Sequence, residues 1–196
     1  EKFDSRRPVH VYKEPGRYTI EMTGTAKSLE FSDGESMSPE LQSVISWGTL
    51  GYTRAVDMCL GCNNLKSIPN DVAGSFASVK SFIGAFSCCE SLEEIPSGLF
   101  RYATVAKNFE DCFSHSASIS EIPEDLFANC VAAEDFSYTF YGTGSGYILT
   151  TSTLANFDEV RALASASKLR EIPGGLFRNC PAVKQMDYVF GATAIS

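Results

Sequence analysis

A short phrase recurs along this chain at a fixed interval. Leu92-Glu93-Glu94-Ile95-Pro96-Ser97-Gly98-Leu99-Phe100 is preceded by Leu65-Lys66-Ser67-Ile68-Pro69. It is followed by Ile119-Ser120-Glu121-Ile122-Pro123-Glu124-Asp125-Leu126-Phe127 and by Leu169-Arg170-Glu171-Ile172-Pro173-Gly174-Gly175-Leu176-Phe177. Pro69, Pro96 and Pro123 are 27 residues apart. A period of that size marks stacked supersecondary units, none of which buries its own apolar side chains alone.

Each unit divides into halves of 14 and 13 residues. One full unit carries Leu92, Ile95, Leu99, Phe100 and Ala103, then Ala106, Phe109, Cys112, Phe113 and Ser116. The next carries Ile119, Ile122, Leu126, Phe127 and Cys130, then Ala133, Phe136, Thr139 and Phe140. An earlier unit reads Leu65, Ile68, Val72, Ala73 and Phe76, then Val79, Phe82, Ala85, Phe86 and Cys89. The last reads Leu169, Ile172, Leu176, Phe177 and Cys180, then Val183, Met186, Val189 and Phe190. Phe86, Phe113, Phe140 and Phe190 hold one slot, and Phe100, Phe127 and Phe177 another. A weaker half-unit, Ala55, Met58, Cys59 and Cys62, comes first, with Trp47-Gly48 near its start. Between residues 141 and 168 a unit is irregular. There Leu149, Phe157, Val160 and Leu163 fit the lattice only with an insertion near Gly142–Tyr147 and a deletion after Leu163.

The residue before proline favours an extended path, and proline suits the first position of a helix. Leu99, Phe100 and Ala103 then follow at helical spacing. The sequence therefore predicts an α/β fold, a right-handed solenoid like a leucine-rich repeat, built of short strands and short helical turns. It spans residues 37–196 in about five units. Residues 1–36 read as a lead-in and a small β cap. Tyr18, Ile20 and Met22 alternate with Thr19 and Glu21, Gly24 is a turn, and Leu29 and Phe31 repeat the alternation, while Ser32–Ser36 reads as a turn.

The repeats resemble the BspA-like leucine-rich-repeat proteins of bacterial surfaces, a Bacteroidetes type. The residues carrying the likeness are Cys62-Asn63-Asn64-Leu65-Lys66-Ser67-Ile68-Pro69, Leu126-Phe127-Ala128-Asn129-Cys130, Leu176-Phe177-Arg178-Asn179-Cys180-Pro181 and Ser46-Trp47-Gly48. That resemblance implies export, often as a lipoprotein, and a role in adhesion or protein binding at the cell surface. The start at Glu1, without Met or signal-peptide pattern, suggests a mature or trimmed segment. No apolar run approaches the length of a transmembrane helix.

The chemistry-bearing residues are sparse. Cys59-Leu60-Gly61-Cys62 is a C-x-x-C without the second pair a structural zinc site needs, so no metal or cofactor is expected. Cys62 and Cys89 share a lattice slot, as do Cys130 and Cys180. Windings about 4.8 Å apart would bring Cys62 and Cys89 within reach of a disulfide, which the pattern permits without requiring. Cys88 lies off the lattice and is expected near the surface. His115, beside Asp111 and Cys112, reads as a solvated turn histidine and not as a catalytic base. Glu93-Glu94, Glu121 with Glu124-Asp125, and Glu134-Asp135 read as a solvated acidic face. Gly142-x-Gly144-x-Gly146 lacks the Lys-Ser/Thr of a phosphate loop. With Tyr138, Tyr141 and Tyr147 nearby, it is the expected ligand-binding patch, because tyrosine is enriched in contact surfaces.

The net charge of −8 and a pI near 4.8 disfavour phosphate backbones and anionic lipid. The expectation is a non-enzymatic repeat protein, secreted or at the cell surface, with the resemblance implying an outer-membrane lipoprotein anchor. Its partner would be a protein such as a matrix or host-surface component, with nucleic acid excluded. A glycan-binding module is the alternative. A hydrolase using paired carboxylates, which would need them in a cleft roughly 5–9 Å apart, is a third reading.

Overall fold

The computed structural model describes residues 11–31, 40–145 and 167–193. The chain winds repeatedly about one apolar core, and residues one period apart lie on top of one another. Phe82, Phe109 and Phe136 form one column, with centroids 5.3 and 5.2 Å apart. Phe86, Phe113, Phe140 and Phe190 form a second, at 5.4, 5.6 and 5.5 Å. Phe100, Phe127 and Phe177 form a third, at 5.7 and 5.8 Å. Rings of neighbouring columns meet edge-on, as Phe100 does Phe109 and Phe127 does Phe136. Burying each ring contributes roughly 1.5–3 kcal/mol relative to exposure.

The expected α/β solenoid of strands and helical turns is not what the backbone forms. Among the described residues there is no helix and no sheet. Extended pairing is limited to isolated parallel bridges, Ser43 to Ser67, Ser81 to Asn108, Asn108 to Asp135 and Asp135 to Gln185. The leucine-rich-repeat description falls with it. The reason lies in the hydrogen bonds. Pro96, Pro123 and Pro173 each open a single turn, with Leu99 N–H donating to Pro96 O, Leu126 to Pro123 and Leu176 to Pro173. Further three-residue bonds follow, from Arg101 to Gly98, Ala103 to Phe100 and Ala106 to Ala103. The inward residues thus recur about every third position. An α-helix needs a run of four-residue bonds, and separate turns never supply one.

The described residues of the expected β cap form no strand pair. Residues 11–31 contain no strand, and Tyr18, Ile20 and Met22 are exposed. Gly24 does turn the chain, with φ +120°. Among residues 11–31, Ala26 to Phe31 touch the stack, through Ala26 N–H to Leu50 O, Phe31 N–H to Met58 O, and Thr53 and Arg54 N–H to Lys27 O. Those bonds are too few for a ladder. Trp47 does the covering instead. It is buried, donates from Nε1 to Pro69 O at 2.9 Å, and lies 5.1 Å from Phe76. Residues 1–10 and Ser32–Ser36 lie outside the described residues.

Three inward assignments move, those of Val72, Ala73 and Met186. Val72 is exposed because its neighbour Asp71 turns inward and accepts from the N–H groups of Ala73, Ser75 and Phe76. Met186, in the slot of Phe109 and Phe136, is 43% exposed on the last described winding. Leu149, Phe157, Val160 and Leu163 lie outside the described residues. The windings on either side of them meet directly, since Phe177 stacks on Phe127 and Lys184 pairs with Glu134 at 2.7 Å. One step of the stack therefore spans 50 residues there, where elsewhere it spans 27.

Candidate binding surface

The second half of each winding has a regularity invisible in the apolar lattice. Positive φ recurs at two positions four residues apart. The first column is Asp57, Gly84, Asp111, Tyr138 and Tyr188, and the second is Gly61, Cys88, His115, Gly142 and Ala192. Gly61, Gly84, Asp111, His115, Tyr138 and Gly142 are each the third residue of a turn closed by a three-residue bond, such as Cys112 N–H to Phe109 O and Ser116 N–H to Phe113 O. Positive φ at that position defines a type II turn. For residues other than glycine it costs about 1–2 kcal/mol.

The neighbouring winding holds this geometry in place. Phe109, Asp111, Phe113 and His115 donate to the carbonyls of Asp135, Ser137, Thr139 and Tyr141. Phe136, Tyr138, Phe140 and Gly142 donate to Gln185, Asp187, Val189 and Gly191 in the same way. Intervening amides close the turns, so alternate residues serve the winding and its neighbour. Inward hydroxyls and thiols add a second set of bonds. Ser116, Thr139 and Thr143 donate to Phe86, Phe109 and Phe113 carbonyls at 2.7–2.9 Å. Cys89 Sγ donates to Cys59 O at 3.2 Å. The slot shared by cysteine, serine and threonine is therefore a slot for a short donor.

Side chains on the positive-φ columns form the surface. Tyr138 and Tyr141 meet at 5.7 Å, edge to face, as expected of a shared patch. Tyr188, not singled out in the sequence, stacks on Tyr138 at 5.5 Å and is 67% exposed. It could have been found, because it follows Met186 by two residues as Tyr138 follows Phe136. Tyr147 lies outside the described residues. His115 is not a solvated histidine. It is 7% exposed, its ring lies 5.4 Å from Tyr141, and a Cβ on Gly142 would come within 3.0 Å of its Nδ1.

The acids near this patch sit in partly dehydrated positions. Burial raises the Asp111 carboxyl, opposed by its hydrogen bond from Ser114 and by His115. Burial raises Glu110, with help from Asp135 and Asp111. Asp57 is raised by burial and then by Glu30. Ser114 itself is buried and bonded to Ser87 Oγ at 2.8 Å.

On the opposite half of the windings the expected acidic face is largely solvated, with Glu93, Glu94, Glu121, Glu124 and Asp125 exposed. Glu124 pairs with Arg178 at 3.1 Å. Glu134 lies between Lys107 and Lys184, each at 2.7 Å, and their hydrogen bonds pull its carboxyl down to about 2. Asp135 is buried, a bridge residue whose carboxylate accepts from Ser137 N–H. Two furrows run between windings here. One of about 510 Å³ is lined by Lys66, Asn70, Glu93 and Glu94, and one of about 260 Å³ by Ser97, Arg101, Asp125 and Asn129.

None of the seven thiols is in a disulfide, and Cys88 is half-buried where it was expected near the surface. Burial pushes the Cys89, Cys112 and Cys130 thiols up, and that of Cys180 up to about 11. Among the described residues no group of three or more His, Cys, Asp or Glu is arranged to hold a metal ion. Nor is any helix among them long and apolar enough to cross a membrane.

No protein-family model matches the chain, and no curated protein matches it.

Proposed function

We propose that this chain is a non-enzymatic binding module that engages a protein partner through its positive-φ face. The observation that carries the proposal is the contact cluster of Tyr138, Tyr141 and Tyr188, seated on backbone fixed by bonds to the adjacent winding. Tyrosine offers a large amphipathic contact area at low cost in side-chain entropy, and rigid seating lowers that cost further. Some polar groups are engaged within the stack. Glu134 is held by two lysines, Glu124 by Arg178 and Ser114 by Ser87. The likeness of the repeat residues to BspA-like proteins supports a place outside the cell, secreted or at the surface, including an outer-membrane lipoprotein. It rests on those residues and not on the architecture.

A second reading, glycan capture, is favoured by one observation. Tyr188 presents an open ring beside Asp187, both exposed, and a flat ring next to a carboxylate suits the apolar face and hydroxyls of a sugar.

The test is an array of immobilised matrix proteins and glycans probed with the whole chain and with Tyr138→Ala and Tyr188→Ala. Retention on a protein, lost at least tenfold in Tyr188→Ala with an unchanged melting temperature, supports the proposal. Retention on glycans alone replaces it with the second reading. Retention indifferent to both substitutions overturns both.

A further inference from the structure

Six of the seven cysteines are buried, and one pair stands at the two ends of a single turn. Cys59 and Cys62 are the first and last residues of a turn closed by Cys62 N–H to Cys59 O at 3.1 Å, with Gly61 at φ +69°. The ends of such a turn lie within about 7 Å between Cα atoms, and disulfides span roughly 4.4–6.8 Å. Both side chains point inward with no exposure, and their thiols lie within hydrogen-bonding reach of each other. The other thiols are placed differently. Cys89 donates to Cys59 O and Cys180 to Phe127 O, while Cys112 and Cys130 stand on different segments of the repeat.

We propose that Cys59 and Cys62 form a disulfide that closes the first winding when the protein meets an oxidising thiol–disulfide buffer. Both thiols are buried, so the reagent reaches them when the outer edge of the stack opens. Beside it lies the segment Ala26–Phe31, which is attached by four backbone bonds and preceded by exposed chain. The step balances as a double exchange. The Cys62 thiolate attacks a sulfur of oxidised glutathione and expels one glutathione thiolate. The Cys59 thiolate then attacks Cys62 Sγ in that mixed disulfide and expels the second. Two cysteine protons pass to the two departing thiolates, the cysteine pair loses two electrons, and the glutathione disulfide gains them. Cys62 is the first attacker because Cys59 donates a hydrogen bond to it, which lowers the Cys62 thiol and raises that of Cys59.

The full chain is incubated with oxidised and reduced glutathione, alkylated under denaturing conditions, and measured by intact mass and peptide mapping. The expected result is the loss of two hydrogens and one bridge, mapped to Cys59 and Cys62. Cys59→Ser is expected to accumulate a glutathione adduct at Cys62, since nothing resolves it. Cys130→Ser is expected to oxidise as the parent does. Far-ultraviolet and melting curves of each variant establish that it is folded before its oxidation is scored. A bridge at Cys62–Cys89 or Cys88–Cys89 overturns the proposal. So does retention of every thiol under conditions that oxidise the urea-unfolded chain.

Discussion

The two halves of each winding are built on different principles. The half that begins at Ile-Pro is the conspicuous one in the sequence. It is held chiefly by side-chain burial and its own turns, and it exchanges few backbone bonds with its neighbours. Between residues 92–106 and 119–133 the neighbours meet through Phe100 on Phe127 and through Asn129 Nδ2 donating to Arg101 O. The half that begins near Asn108 or Asp135 is the inconspicuous one. There four alternate amides donate to the next winding, and the positive-φ residues recur in register. A strong sequence signature therefore marks the loosely bonded half, and the ladder runs through residues as dissimilar as Gly84, Asp111 and Tyr138.

Substitutions that damage one half and spare the other test this contrast. The largest effect is expected from Phe113→Ala, which empties a slot between Phe86 and Phe140. It should cost about 3–5 kcal/mol in denaturant unfolding, against less for half-buried Phe177→Ala. Gly144→Ala should follow, at about 3 kcal/mol. Its Cβ would lie 2.7 Å from Ile119 O and Leu169 N, both backbone, at φ +71°. Thr139→Val should cost about 1–2 kcal/mol, because it leaves the buried Phe109 carbonyl without its hydroxyl donor. Pro96→Ala, in the other half, should cost under about 1 kcal/mol, since the turn it opens uses its carbonyl and not its nitrogen.

The smallest effects are electrostatic and have opposite signs. Glu134 has a depressed carboxyl, so its contribution is present above the ordinary glutamate range and is lost as pH falls toward 2. Glu134→Gln should flatten that acid limb of the melting temperature, and added salt should shrink the difference. Asp111 has a raised carboxyl, so ionising it opposes folding, and its cost grows as pH rises through the folded value. Asp111→Asn should hold or slightly raise the melting temperature at pH 7, by under about 1 kcal/mol, because asparagine also tolerates positive φ.

The core was legible in the sequence for a simple reason. Burial acts on side-chain type, so Phe, Leu, Ile and Cys recur wherever the chain turns inward. Phe100, Phe127 and Phe177 could be placed in one column from spacing alone. The backbone was not legible, because Leu99, Phe100 and Ala103 have the same spacing in one helical turn as in two successive three-residue turns. Hydrogen bonding decides between those, and apolar periodicity does not report it. The positive-φ columns were hidden because glycine marks only some of their members. Gly84 and Gly142 carry the signal, while Asp111, His115 and Tyr138 adopt the same φ under the constraint of neighbouring windings. Of the expected patch, Tyr138 and Tyr141 come together. Tyr188 was missed because 50 residues separate it from the ring it covers.

Amide hydrogen exchange in the native state is the most direct measure of which half holds the windings together. The amides of Phe82, Gly84, Phe86, Phe109, Asp111, Phe113, Phe136, Tyr138 and Phe140 should form the slowest class and exchange together. Those of Glu93, Glu94 and Ser97, in the proline half, should exchange orders of magnitude faster. Equal protection of the two sets, or faster exchange at Asp111 and Tyr138 than at Glu94, would contradict the account.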